Sequence, residues 1–453
     1  MKLHNGQESI KIGFTDKKLS PHAGSAVFWA WLRPSGFIEV LKDLLPHPQP
    51  TSNNHITPLD KALGFTQGIL CGAEKLTQVA HLRRDAVLPE IMGIKRIASQ
   101  SVLSRFFAKF DSEAKNQHCF GKAFEWCIKK LKPRKEGFSL DFDSTRLLHE
   151  DGHQEGVVTG YTRVGIKPCL HPLLAFLEEP KMVAGLWLRP GNTQCSNNIV
   201  NFTHDVFSRF PSWMKIRVVR ADSGFCDNAW LEMLEAREQP YIVVAKLLKP
   251  VKKLITSGLI WQPTKVHGTT VAEVMHKEQG WKKPRRLVII RHEIKEKKRP
   301  GGKKLIEVPG YLFQGLVTNQ PARVSAIDLW IDYNGRAGCE CVIKELDAGY
   351  ALPKLILEKF WATEAALSLA VMSYNLVVLF QQKLGWLDRV TLKTLRYWFF
   401  VTAGSLGNHA GIKEIKLCLP PGWRAWWEKV WAKITSPYVN SNAVGHAPTR
   451  SAA

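Results

Sequence analysis

Three short phrases carry residue types suited to phosphodiester chemistry. They are Leu140-Asp141-Phe142-Asp143-Ser144-Thr145, Val219-Arg220-Ala221-Asp222-Ser223-Gly224-Phe225, and Tyr333-Asn334-Gly335-Arg336 with Glu340 close behind. The first two are aliphatic or β-branched runs ending in Asp and then small residues. Each predicts a buried strand that delivers a carboxylate at its C-terminal tip. The third predicts a helix with Tyr333, Arg336, Glu340 and Lys344 at offsets of 0, 3, 7 and 11, a spacing that shares one face. Two carboxylates from strands and one from a helix can converge on a pair of divalent cations, which drives in-line attack on phosphodiesters.

Each phrase alone has a plainer account. Side chains alternate along a strand, so Asp141 and Asp143 share a face and repel one another. Either a cation or an arginine sits between or beyond them, or the strand is a solvated edge. Asp222 is equally a candidate cap for the helix that follows it. The joint occurrence of two strand-tip Asp residues and a helix bearing Tyr-x2-Arg-x3-Glu is the stronger signal.

The elements that must position these residues are legible in the hydrophobic pattern. Residues 1–130 read as mostly helical. Within them Ser99-Gln100-Ser101-Val102-Leu103-Ser104-Arg105-Phe106-Phe107 suits either the second helix of a helix-turn-helix, with Arg105 toward DNA, or an ordinary capped amphipathic helix. From 136 to 245 strands alternate with helices: strands at 137–143, 182–188, 216–221 and 241–245, helices at 197–210 and 227–238. That order predicts an α/β sheet of mixed strand direction. Residues 246–310 interrupt it as a basic, β-rich insertion, and 246–304 hold 17 Lys/Arg against four Glu. A further strand at 311–318 and the Glu340 helix complete the core to residue 350. Residues 351–435 read as helical and 436–453 as a flexible tail. Trp423, Trp426, Trp427 and Trp431 crowd one amphipathic helix there, a pattern of core packing rather than base stacking.

Composition narrows the partner. The chain has 453 residues, 45% of them hydrophobic, enough for two or three packed domains. Lys and Arg outnumber Asp and Glu by 63 to 40, a net charge of +23. That excess favours polyanions and counterion-release binding to nucleic acid. Nine scattered cysteines include no Cys-x2-Cys pair, and Cys339 and Cys341 stand too close for a zinc knuckle, so free thiols in a reducing cytoplasm are expected. The start has no apolar signal core. The apolar stretch 365–380 is interrupted by Ser368, Ser373 and Asn375 and reads as a core helix rather than a membrane span.

Over residues 60–435 the chain resembles the DDE transposases of bacterial insertion sequences. The resemblance rests on Leu82-Arg83-Arg84-Asp85, Gly152-His153-Gln154-Glu155-Gly156, His171-Pro172-Leu173-Leu174-Ala175-Phe176, Leu188-Arg189-Pro190-Gly191-Asn192-Thr193 and Arg220-Ala221-Asp222-Ser223-Gly224-Phe225, in that order. It implies an RNase H-like mixed sheet flanked by helices, interrupted by a β-rich insertion, between helical N-terminal and C-terminal regions. It also implies a catalytic and metal-binding triad of Asp143, Asp222 and Glu340, with Asp141 the competitor for the first place. Mg²⁺ is the expected cofactor, with Mn²⁺ able to substitute. The expected partner is double-stranded DNA, both terminal inverted repeats and target, engaged by a homodimer in the bacterial cytoplasm without a membrane.

Candidate DNA contacts are Tyr333, Arg336 and Lys344 on the Glu helix, and Lys297, Lys298 and Arg299 in the insertion. There too, Trp261 or Trp281 either stacks on an extruded base or packs the insertion. His153 is either a proton shuttle or a structural histidine. One departure stands out: the family pattern continues Tyr-x2-Arg-x3-Glu-x6-Lys, and its Lys position is Asp347 here. Either Lys344, one turn earlier, takes over that contact, or the contact is weakened. The implied function is cut-and-paste transposition. A catalytically impaired protein that only occupies transposon ends is the alternative, and a nuclease that cuts without joining is a third.

Overall fold

The computed structural model describes the chain apart from residues 1, 6–7, 49–50, 295–309, 387, 437–442 and 449–453. Lys297, Lys298 and Arg299 therefore lie outside the described residues. The chain folds as two compact units. One comprises Met1–Lys109, Gly349–Ala351 and Leu379–Ala453, the other Phe110–Ala348 and Leu352–Val378.

The second unit is built on a nine-stranded sheet. Its strands, with those of a small satellite sheet, are β1 (Phe138–Ser144), β2 (Leu147–Leu148), β3 (Val158–Thr162), β4 (Gly165–Leu170), β5 (Leu173–Leu177), β6 (Met182–Trp187), β7 (Ile216–Ala221), β8 (Tyr241–Val244), β9 (Gln262–Pro263), β10 (Thr269–His276), β11 (Arg285–Glu293) and β12 (Tyr311–Thr318). The large sheet runs β9-β10-β11-β12-β8-β7-β1-β5-β6, and β2, β4 and β3 form the satellite. Strands β1, β7 and β8 are parallel, while β5 and β6 continue antiparallel on one side and β12 to β9 on the other. The strands of the insertion thus extend the central sheet.

Burial follows alternation. On one face of the sheet Phe142 packs edge-on against Phe202 and Trp230 at centroid distances of 5.9 and 5.5 Å. Those aromatics come from helices α1 (Ile199–Ser208) and α2 (Asn228–Ala236). On the other face Val218, Ile242, Val288 and Leu316 pack against Ala326 and Leu329 of α3 (Ala326–Asn334). The helix Phe360–Leu384 is long and apolar enough to span a membrane, yet its apolar window is wholly buried inside the fold. Asn375, which breaks its apolar run, accepts from Val183 N at 3.0 Å and donates to Val183 O at 2.8 Å. It finishes the hydrogen bonding of strand β6 within the core.

In the first unit, Ser99 caps the helix Gln100–Phe107 through Val102 N, and Arg105 is exposed on it. The tryptophan helix Pro421–Thr435 buries Trp426 and Trp427 against Phe399, at 5.2 and 5.3 Å, while Trp431 stays half exposed. The expectation of a wholly helical C-terminal region is corrected by an antiparallel hairpin, Gly404–His409 with Ile412–Leu417. Its two-residue Ala410-Gly411 turn lacks the Asn-Gly or Asp-Gly wording that advertises such a connection.

Candidate active site

Strand pairing brings the two Asp phrases together. Across the parallel β1–β7 ladder Arg220 faces Asp141 and Ala221 faces Phe142. Asp143 and Asp222 are the next residues along each strand. Asp141 is fully buried and takes a two-pronged contact from Arg220, Nε at 2.6 Å and Nη2 at 2.8 Å. Burial pushes its carboxyl up to about 6 against the pull of that guanidinium. An arginine therefore resolves the repulsion on this face, and Asp141 has no edge free for a ligand.

Asp143 stands at the end of β1 with a different set of partners. Its Oδ1 accepts from Ser144 N at 2.8 Å. Its Oδ2 lies 2.9 Å from Arg336 Nη2 and 3.5 Å from the Cys339 thiol. Burial raises its pKa above the usual carboxylate range, Arg336 opposes that, and the charge of Asp222 raises it further. Asp222 Oδ1 accepts from Gly224 N at 2.8 Å and caps the short 3-10 turn Ser223–Phe225, whereas Asp227 caps α2. The capping account of Asp222 holds for that turn, and the carboxylate still acts electrostatically on Asp143.

The single helix expected to carry Tyr333 to Lys344 is two helices. α3 ends at Asn334 and α4 (Ala337–Gly349) begins three residues later. Between them, Gly335, Arg336, Gly338 and Cys339 make tight i→i−3 bonds of 2.9–3.2 Å. Gly335 is needed at the joint because a Cβ there would come within 2.7 Å of Arg220 Nη1. The step turns Arg336 inward: it is 6% exposed, held by Asp143 and by Phe142 O at 3.3 Å. Tyr333 packs half-buried against the sheet core, and burial pushes its hydroxyl up to about 12. Glu340, in the first turn of α4, and Lys344 are exposed.

Asp143, Glu340, Lys344 and Asp347 line one cleft of about 280 Å³, together with Arg146 and the tip of the β3–β4 hairpin. The other expected residues lie elsewhere. Trp261 is half-buried beneath Arg291, 4.2 Å from its ring, and Trp281 beneath Arg285 at 4.6 Å. His153 is exposed on a loop. Among the described residues, no three Asp, Glu, His or Cys side chains are drawn together as a ready metal-ligand group.

Three supporting residues carried no role in the sequence reading. His171 Nδ1 donates to Thr193 O at 2.8 Å, which leaves Nε2 to accept from the Ser144 hydroxyl at 2.8 Å. Burial and two arginines hold its pKa down at about 3, so it stays neutral and fixes the residue after Asp143. Arg189 donates to the carbonyls of Gln194, Cys195 and Asn197 at 2.9–3.0 Å and to His171 O at 3.0 Å. Arg220 ties Asp141 to the carbonyl of Asp332 on α3. Only the wording of the phrases containing them pointed to these positions.

The sheet and its acidic tips define a mixed α/β protein whose carboxylates gather where two parallel strands end. The chain belongs to the transposase DDE domain group 1 family, whose sequence profile matches residues 3–436. Among solved structures, the piggyBac transposase synaptic complex with hairpin DNA, determined by cryo-EM, is similar. The likeness has a TM-score of 0.44 and 10% identity over 84% of this chain and 81% of that one. No curated protein matches the chain in sequence.

Proposed function

We propose that this protein is a cut-and-paste transposase that cleaves DNA at transposon ends and transfers the 3′ ends with divalent metal ions. The observation that carries the reading is the placement of Asp143 and Asp222 at neighbouring parallel strand ends, with Glu340 in the same cleft as Asp143. The order β6-β5-β1-β7-β8, with β5 alone antiparallel to the other four strands, supports an RNase H-like core.

The donor set fits a hard cation. Asp143, Asp222 and Glu340 offer carboxylate oxygens alone, the ligands that suit Mg²⁺ or Mn²⁺. The mutual repulsion of Asp143 and Asp222 is the kind a cation relieves. When bound, the metal supplies Lewis acidity to the attacking water or 3′-hydroxyl and to the leaving oxygen. The protein's own part is positional. Ser144 N and Arg336 orient Asp143, His171 steadies Ser144, and the turn at Gly224 orients Asp222. The basic excess draws DNA, terminal repeats and target alike, to a homodimer that holds two ends. Nine unbridged cysteines suit work in a reducing bacterial cytoplasm.

A second reading, end binding without catalysis, draws on Asp347, which puts a negative charge in the cleft beside Glu340 and Lys344. Mg²⁺-dependent cleavage and joining of repeat-ended DNA separates the two. Asp143→Ala, Asp222→Ala and Glu340→Ala should each abolish cleavage and leave DNA binding nearly intact, because the ligands do chemistry and the basic surface supplies affinity. Cleavage at the wild-type rate by any one of them removes that residue from the triad. Binding by the wild type without cleavage selects the second reading.

A further inference from the structure

We propose that the β3–β4 hairpin is a DNA-gripping finger, and that Arg163 at its tip supplies a phosphate-contacting cation beside Asp347. The inference rests on the transposase reading and deepens it.

The cleft has two walls. Helix α4 contributes Glu340, Lys344 and Asp347, the hairpin contributes Arg163 and Val164, and Asp143 lines the same cleft. Asp347 puts a negative charge on the α4 side of the cleft, one turn beyond Lys344. Its Oδ1 is buried without a hydrogen-bond partner among the described residues. Burial raises its pKa to about 6, and the charge that opposes this is that of Arg163. Arg163 is exposed and lines the same cleft as Asp347 and Lys344, close enough for its charge to act on Asp347.

The finger is built to hold its shape. The Thr162 hydroxyl donates to Gly165 O at 2.6 Å and accepts from Val164 N at 3.2 Å across the turn. At its base, Gly191 lies so close to the carbonyls of Cys169 and Val158 that a Cβ would overlap both. Arg146 donates to Gly191 O and also lines the cleft. A rigid strand pair has no folding reason to expose large apolar groups, yet Tyr161, Val164 and Ile166 are 68%, 66% and 70% exposed. Tyr161 and Ile166 are direct cross-strand partners on one face. A face carrying an exposed tyrosine, with Arg163 at the turn beside it, can bind a nucleic acid strand by stacking and charge together. The occupant is therefore the DNA strand whose phosphodiester enters the cleft.

The test uses the full-length protein and a fluorescein-labelled mixed-sequence 30-base-pair duplex, without divalent metal, read by anisotropy over a KCl series. Arg163→Ala should weaken binding several-fold at low salt and flatten the log–log salt slope by about 0.9, the share of one neutralised duplex phosphate. Asp347→Lys placed in the Arg163→Ala protein should restore the slope, an outcome that a purely structural role for either residue does not produce. A benzoylphenylalanine at Val164 should crosslink to the duplex on irradiation. An unchanged slope in Arg163→Ala, or crosslinking at Val164 to protein instead of DNA, overturns the finger while the transposase reading stands. Failure of the wild type to bind the duplex overturns both.

Discussion

Arg220 is buried to 2% exposure, and its guanidinium ties strand β1 to helix α3 through Asp141 and Asp332. Removing it leaves the wholly buried Asp141 carboxylate without its partner. Arg220→Ala should therefore cost about 3–5 kcal/mol of stability. Denaturant unfolding would measure the loss, and a cost under about 1 kcal/mol would mean that Asp141 is carried neutral. Glu364 makes the complementary case. It sits in the core, accepts from Leu188 N at 2.7 Å and Asn116 Nδ2 at 3.0 Å, and burial raises its pKa to about 7. A carboxyl whose folded pKa lies above its unfolded value binds its proton more tightly when folded. Its contribution is complete below about pH 4.5 and is lost as pH rises through 7, a fall of about 3 kcal/mol. Glu364→Gln should flatten the stability profile between pH 5 and 8, as thermal melts across that range would show. An equal slope in the variant would place the titration elsewhere.

At the scale of elements, the position of the site depends on two close approaches. Gly335 lets α3 and α4 join over Arg220, and Gly191 lets the loop after β6 lie against strands β3 and β4. Both glycines sit in phrases whose residue types already draw attention, but a phrase does not say which backbone comes near. Gly191→Ala should force β3 and β4 away from that loop, at about 1–3 kcal/mol, because backbone cannot rotate aside as a side chain can. Hydrogen exchange should quicken in the β3–β4 hairpin while β1 and β7 stay protected. Uniform acceleration would show the hairpin to be part of the global unfolding unit. Strands 216–221 and 241–245 are legible to within a residue because long β-branched runs leave little choice. The strand Leu173–Leu177, wholly buried, is not legible because a short apolar run beside a proline has no distinctive period. The step between α3 and α4 is hidden for another reason: 3-10 and α turns place side chains at nearly the same spacing over so few residues.

For the whole molecule, the excess of 23 positive charges predicts salt-sensitive binding to any duplex. The insertion holds a dense share of it. Changing Lys297, Lys298 and Arg299 together to Gln should lower DNA affinity and reduce the salt slope by as much as about 0.9 for each phosphate no longer neutralised. Binding isotherms between low and moderate salt would read this directly. An unchanged slope would put that run away from the DNA.

Read alone, the sequence determined the strands and helices with strong periodicity, the basic balance and the three carboxylate phrases. Each of these depends on residue type and short spacing, which chain connectivity preserves. It also showed that Asp141 and Asp143 share a face and need positive charge nearby. The tertiary structure decided which charge each one receives: Arg220 for Asp141 and Arg336 for Asp143, partners 79 and 193 residues away along the chain. It decided likewise that Asp347 and Arg163, far apart in sequence, line one cleft. Such pairings follow from strand order and register, which are settled by burying both faces of one sheet at once, and no local stretch of sequence contains that condition.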